Sequence, residues 1–181
     1  MEAIKVIKER RSVRKFKEEK VSRDVINEIV AAAAYAPSWK NTQITRYTIV
    51  EDEAVKAKIA DECVLDFVYN AKTIKRAPHL VVVTAVLGRS GYEKDGSYTT
   101  PKEDRWQNFD TGIATQTFCL AAADKGVGTV ILGIFDDDKV AEAIGLEEGQ
   151  QVHALIAMGY PETEPGAAPP RLEVEELVRF I

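Results

Sequence analysis

Three guanidinium groups and a hydroxyl fall within five residues near the start of the chain, in Arg10-Arg11-Ser12-Val13-Arg14. Together they can neutralise a phosphate dianion through charge-assisted, bidentate hydrogen bonds, with Ser12 adding its hydroxyl. Taken alone, a basic cluster this short is more often solvated surface. A second set follows one helical stretch later, in Pro37-Ser38-Trp39-Lys40-Asn41-Thr42-Gln43. Ser38, Asn41 and Gln43 offer donors and acceptors that suit the edge of a flat heterocycle or a polyol chain. By itself this segment also reads as a helix C-terminus and turn. The third set is Gly128-Thr129-Val130-Ile131-Leu132-Gly133, where glycine lets backbone approach a ligand and a main-chain N–H near Gly133 can donate to it.

Other chemistries find little support. No G-x-G-x-x-G follows a strand and no G-x-x-x-x-G-K-[ST] occurs, so neither dinucleotide-fold nor P-loop phosphate binding is expected. His79 and His153 lie in apolar, strand-like runs away from any Cys or His partner, which argues for structural roles and against a metal site or a nucleophile–base pair. Cys63 and Cys119 sit on the apolar faces of helical stretches, as free thiols of a reducing compartment do.

The totals bound the rest. A chain of 181 residues, 45% hydrophobic and 29% charged, fits one globular domain with a proper core. A net charge of −5 makes nucleic acid an unexpected partner, so the basic residues matter only where they cluster. No run approaches the ~18 apolar residues of a membrane span. Glu2-Ala3-Ile4-Lys5 lacks a signal-peptide core, and the expected location is cytoplasmic.

The elements that must position these groups follow from periodicity. Ile4, Val6 and Ile7 suggest a short helix over 2–9, which the basic cluster ends. Ser22 suits the N-cap of a helix carrying Val25, Ile26, Ile29, Val30, Ala33 and Ala34, which Pro37 stops. A strand is expected over 46–51, then a helix over 53–69 with Val55, Ile59, Cys63 and Phe67 on one face. After Pro78, the valine-rich run from His79 to Leu87 reads as a buried strand. Residues 88–108 mix polar filler with Tyr92, Tyr98 and Trp106, which suits either a mobile covering loop or a solvated connector. Asp110 is expected to cap a long helix that Gly126 ends. A strand over 129–133, a short helix opened by Asp136 and a last strand over 151–158 complete the set. Beyond Pro161 a Pro- and Gly-rich linker leads to an amphipathic tail ending in Val178, Phe180 and Ile181.

In this order and spacing, the motifs resemble the nitroreductase family of FMN-dependent oxidoreductases. The likeness runs from Ile4 to about Tyr160, through the Arg10 to Phe16 segment, Ala36-Pro37-Ser38 with Asn41 and Gln43, Gln116 to Ala122, the Leu132 to Asp136 turn and Gly159-Tyr160-Pro161. A weaker echo falls at Arg171. The resemblance implies an α+β fold, an α/β/α sandwich with a mainly antiparallel central sheet, assembled as an intertwined homodimer. Residues 1–160 would be the FMN-binding domain and 161–181 an arm packing on the partner subunit.

It also implies that Arg10, Arg11, Ser12 and Arg14 hold the FMN phosphate and ribityl end, with Arg171 adding a phosphate contact. Pro37, Ser38, Trp39 and Asn41 would come from the other subunit, with Gln43 close by. Ile131, Leu132 and Gly133 would line the isoalloxazine, and Asn70 would touch the ring edge. NADH or NADPH would supply electrons to nitroaromatics, quinones or related small acceptors in a ping-pong cycle, without an indispensable protein acid or base. The same scaffold supports flavin destruction, dehalogenation and enoate reduction, and FMN storage or a purely structural dimer stay open beside these. The chain departs from the family pattern where Ile44-Thr45 replaces Pro-Trp, where Trp39 replaces a small residue, and where 88–108 is short.

Overall fold

The computed structural model describes residues 2–181. Four strands form one antiparallel sheet: β1 (Thr45–Val50), β2 (His79–Val86), β3 (Gly128–Leu132) and β4 (Gln150–Gly159), in the order β1-β2-β4-β3. The central strand β2 is buried on both faces, which explains a valine run with no polar alternation. Successive side chains leave the sheet on opposite sides. Leu80 and Val82 therefore join a core with Ile59, Ile74 and Leu155, while Val81 and Val83 join a second with Ile29, Phe118 and Ile156.

Helices cover both faces. On the first face lie α3 (Glu53–Glu62), α4 (Val68–Arg76) and α6 (Asp137–Ile144). On the second lie α2 (Arg23–Ala33) and the 20-residue α5 (Arg105–Asp124), with the short α1 (Ala3–Glu9) against α5. The result is the expected α/β/α sandwich. Caps follow the sequence: Ser22 Oγ accepts from Val25 N, Asp52 Oδ1 from Ala54 N and Val55 N, and Asp136 Oδ1 from Lys139 N. The tail carries one helical turn, α7 (Val174–Leu177), with a capping box between Glu173 and Glu176, and leaves Leu172, Leu177, Phe180 and Ile181 exposed.

Two expected helices differ. The one expected over 53–69 breaks after Glu62, and Leu65 and Asp66 take φ of 50° and 56°. The Cys63 carbonyl accepts from Asp136 N at 2.7 Å, a bond to the turn after β3 rather than to helix backbone. The chain then restarts as α4, which places Asn70 on a helix instead of in a connector. The long helix begins at Arg105, five residues before Asp110, so Asp110 lies inside it and caps nothing.

Candidate functional site

The basic segment is a strap along the free edge of β3. Ser12 bridges Thr129 in parallel, Val13 N donates to Thr129 O at 3.0 Å, and Lys17 N donates to Tyr160 O at 2.9 Å. Val13 and Phe16 pack into the core and fix the strap. Gly128 permits this approach, since a Cβ there would lie 2.8 Å from the Val13 side chain. Arg10, Arg11, Ser12 and Arg14 line a cavity of about 510 Å³ together with Arg171 and the 163–167 segment, which includes Glu164.

None of these four arginines pairs with a carboxylate among the described residues. Arg11 Nη1 donates to Lys8 O and Arg10 O at 2.6 and 2.9 Å, Arg14 Nη1 reaches Ser12 O at 3.5 Å, and Arg171 Nη1 donates to Pro169 O at 2.9 Å. Arg10 Nε and Arg11 Nε are buried without any acceptor. Buried donors left unmet cost about 1–3 kcal/mol each. A cavity lined by unpaired guanidiniums with two orphaned N–H groups fits a phosphate-bearing ligand.

The amide loop is held by a different set of bonds, although Trp39 Nε1 and Thr42 Oγ1 in it are also buried without a partner. After Ser38 the chain makes a single tight turn, Trp39–Asn41. Lys40, Asn41 and Gln43 all take left-handed φ, of 44°, 55° and 48°. Such conformations cost of order 1–3 kcal/mol each and persist only where the surroundings over-determine them. Here Gln43 N donates to Ser38 Oγ at 3.0 Å, Gln43 Nε2 to Asn41 Oδ1 at 3.2 Å, and Arg46 Nη1 to Gln43 O at 2.8 Å. Trp39 N donates to Asp110 Oδ2 at 2.9 Å. Lys40 is paired with Glu93 at 2.8 Å. Asn41 and Gln43 are exposed, whereas Pro37, Ser38 and Gln43 border a second cavity of about 350 Å³ between α2 and α5.

The 88–108 excursion packs against this loop. Trp106, in the first turn of α5, has its ring 4.8 Å from that of Trp39 and 5.5 Å from that of Phe109. Tyr92 and Tyr98 close a turn by a bridge and a ring contact at 4.9 Å. Most of the segment is therefore a set of turns held by aromatic contacts and side-chain bonds.

At the end of β3, Ile131 is exposed, Leu132 is buried, and a Cβ on Gly133 would meet nothing within 4 Å. Backbone is accessible there. Asn70 is buried on α4 and its Nδ2 donates to Ile134 O at 3.0 Å, so it braces the turn after β3. The structure thus groups Arg10, Arg11, Ser12 and Arg14 with Arg171, and groups Pro37 and Ser38 with Gln43. The two groups line separate cavities within one chain.

Sequence reasoning gave Asp110 only a capping role and missed Ser90. Both are buried, and Asp110 Oδ2 accepts from Ser90 Oγ at 2.6 Å as well as from Trp39 N. The available signal was an acidic residue one turn before Ala114 on the apolar face of α5. His79 is buried and its Nε2 accepts from Val21 N at 3.0 Å. Burial pushes the Cys63 and Cys119 thiols up, which favours their protonated form. Among the described residues no helix is long and apolar enough to cross a membrane.

A family model described as Nitroreductase family matches residues 7–70 and 64–160. The chain belongs to the nitroreductase family. An Archaeoglobus fulgidus protein provisionally named NADH dehydrogenase/NAD(P)H nitroreductase is 29% identical over 167 residues, covering 90% of this chain and 87% of its own. A nitroreductase family protein of known structure from Clostridium novyi NT is 31% identical with a TM-score of 0.76, covering 90% of this chain and 86% of that one. An iodotyrosine deiodinase bound to FMN and 3-iodo-L-tyrosine is similar in fold, with a TM-score of 0.80 at 22% identity, covering 99% and 98% of the two chains.

Proposed function

We propose that this protein is an FMN-dependent oxidoreductase that uses NADH or NADPH to reduce nitroaromatics, quinones or related small acceptors. The observation that supports this best is the cavity lined by Arg10, Arg11, Arg14 and Arg171, none paired with a carboxylate among the described residues, with the Arg10 and Arg11 Nε–H groups left without an acceptor. Bound FMN supplies two-electron redox chemistry that no side chain of the chain provides. Arg10, Arg11, Ser12, Arg14 and Arg171 hold its phosphate end. Ile131, Leu132 and Gly133 offer main-chain contact to its ring, and Asn70 keeps their turn in place through Ile134 O.

Pro37, Ser38, Trp39, Asn41 and Gln43 present polar groups on a rigid loop. Because the two sets line separate cavities in one chain, the reading joins them across a homodimer, with the exposed 161–181 arm packing on the partner. No protein acid or base is assigned to the reaction.

The test is direct. Protein mixed with FMN and freed of excess should retain yellow absorbance, and should oxidise NADH or NADPH when a nitro compound or menadione is added. Protein that holds no flavin under any condition overturns the proposal. Protein that holds flavin but turns over neither nicotinamide retains the binding site and loses the activity.

A further inference from the structure

Asp110 is the point where three separate segments meet. Its Oδ2 accepts from Trp39 N at 2.9 Å and from Ser90 Oγ at 2.6 Å. Asp110 is 3% exposed and Ser90 is fully buried. One carboxyl oxygen on α5 therefore ties the amide loop to the start of the 88–108 excursion. Nearby, Gln107 Oε1 accepts from Gly88 N at 3.1 Å, so α5 pins the same excursion a second time.

The amide loop needs such a tether. Three of its residues hold left-handed φ, and the bonds within the loop join its residues only to one another or to adjacent Arg46. Those local bonds set the shape of the loop but not its place on the domain. Of its two polar links to distant sequence among the described residues, the Lys40–Glu93 pair is exposed and is worth little. The Trp39–Asp110 bond is part-buried and its acceptor is a buried carboxyl, which makes it the stronger constraint. Ser90 in turn fixes the orientation of that carboxyl.

We infer that Asp110 is a positioning residue, which holds Asn41 and Gln43 where they meet the flavin ring and links that loop to the 88–108 excursion. The inference rests on the flavin reading above and adds to it a residue that acts through the amide loop, whose cavity it also borders. Its signature differs from that of the arginines. A loop that meets the ring system acts on riboflavin and FMN alike, whereas a phosphate grip acts on FMN alone.

The experiment measures FMN and riboflavin affinity by flavin fluorescence for the native protein, Asp110→Ala, Asp110→Asn and Arg10→Ala. Asp110→Ala should weaken both ligands by about the same factor, roughly tenfold, as expected for the loss of one hydrogen bond to a buried carboxyl. Asp110→Asn keeps an acceptor oxygen and should restore most of that loss, while Arg10→Ala should weaken FMN only. Asp110→Ala with native affinity for both ligands, or with a loss confined to FMN, overturns the inference. Should Asp110→Ala fail to fold, Ser90→Ala takes its place with a loss of roughly threefold for both ligands, and unchanged affinity overturns the inference equally.

Hydrogen exchange across residues 38–44, measured without flavin, should be faster in Asp110→Ala or in Ser90→Ala. Native exchange in this peptide overturns the tether itself. Faster exchange together with native protein that binds neither flavin upholds the tether and overturns the flavin reading on which its purpose depends.

Discussion

The arginine strap and the amide loop each keep two buried side-chain polar atoms without a partner, Arg10 Nε and Arg11 Nε in one and Trp39 Nε1 and Thr42 Oγ1 in the other, but they differ in charge and in what holds their backbone. In the strap, guanidiniums lean on nearby carbonyls, two N–H groups find no acceptor, and no carboxylate among the described residues neutralises them. In the loop, bonds bridge its own residues and a buried carboxyl fixes its entry, against the cost of three left-handed residues. The contrast shows two ways to prepare a binding surface. One leaves charge unspent for an anion to meet. The other fixes neutral donors and acceptors in advance, which reduces the ordering cost on binding.

The contrast breaks most visibly if the charge is removed. Replacing Arg10 and Arg14 together with Ala should lower FMN affinity by at least about a hundredfold, from ~1.5–3 kcal/mol per charge-assisted hydrogen bond. Riboflavin affinity should barely change. Fluorescence titration of both ligands checks this, and equal losses for the two would erase the distinction between the regions.

A smaller effect sharpens the strap side. Gly128→Ala places a Cβ 2.8 Å from Val13, so the strap must shift from β3. Unfolding in urea should show a loss of about 1–3 kcal/mol, as overpacking produces, and FMN affinity should fall with it. Native stability in this variant would mean that the close approach is slack.

The smallest expected effect concerns neither region and serves as a control on acid conditions. Burial holds the His79 imidazole below its ordinary value; Lys20 and Lys56 push the same way, and Glu51 opposes. Protonation of Nε2 also breaks its bond from Val21 N. The neutral form belongs to the folded state, so the unfolded chain binds the proton more readily. This contribution to stability is full above about pH 6.5 and declines as pH falls toward the lowered folded value. Burial shifts His153 in the same direction. Urea midpoints taken from pH 7.5 down to 5 should fall. A midpoint that rises with acidification would contradict the assignment.

Much of this scaffold was legible in the sequence because its signals are local. The Ser22 cap, the apolar stripe of α2 and the unalternated valines of β2 each report their own environment. So does the order of the motifs, which resembled the family before any fold was known. What escaped was set by partners distant in sequence. Asp110 reads locally as a cap, but its partners are Trp39 and Ser90, 71 and 20 residues away. The break after Glu62 has no Gly or Pro to announce it, and rests on a bond between Cys63 O and Asp136 N. Arg171 was marked by the family resemblance alone, and the folded chain places it on the same cavity as Arg10 and Arg14.

A crystal structure of the protein purified with FMN tests the central claim most directly. The account predicts phosphate within hydrogen-bond distance of Arg10, Arg14 and Arg171, and an isoalloxazine ring between Gly133 of one copy and the Ser38 to Gln43 loop of a second. Flavin bound away from these arginines, or held wholly within a single chain, would contradict it.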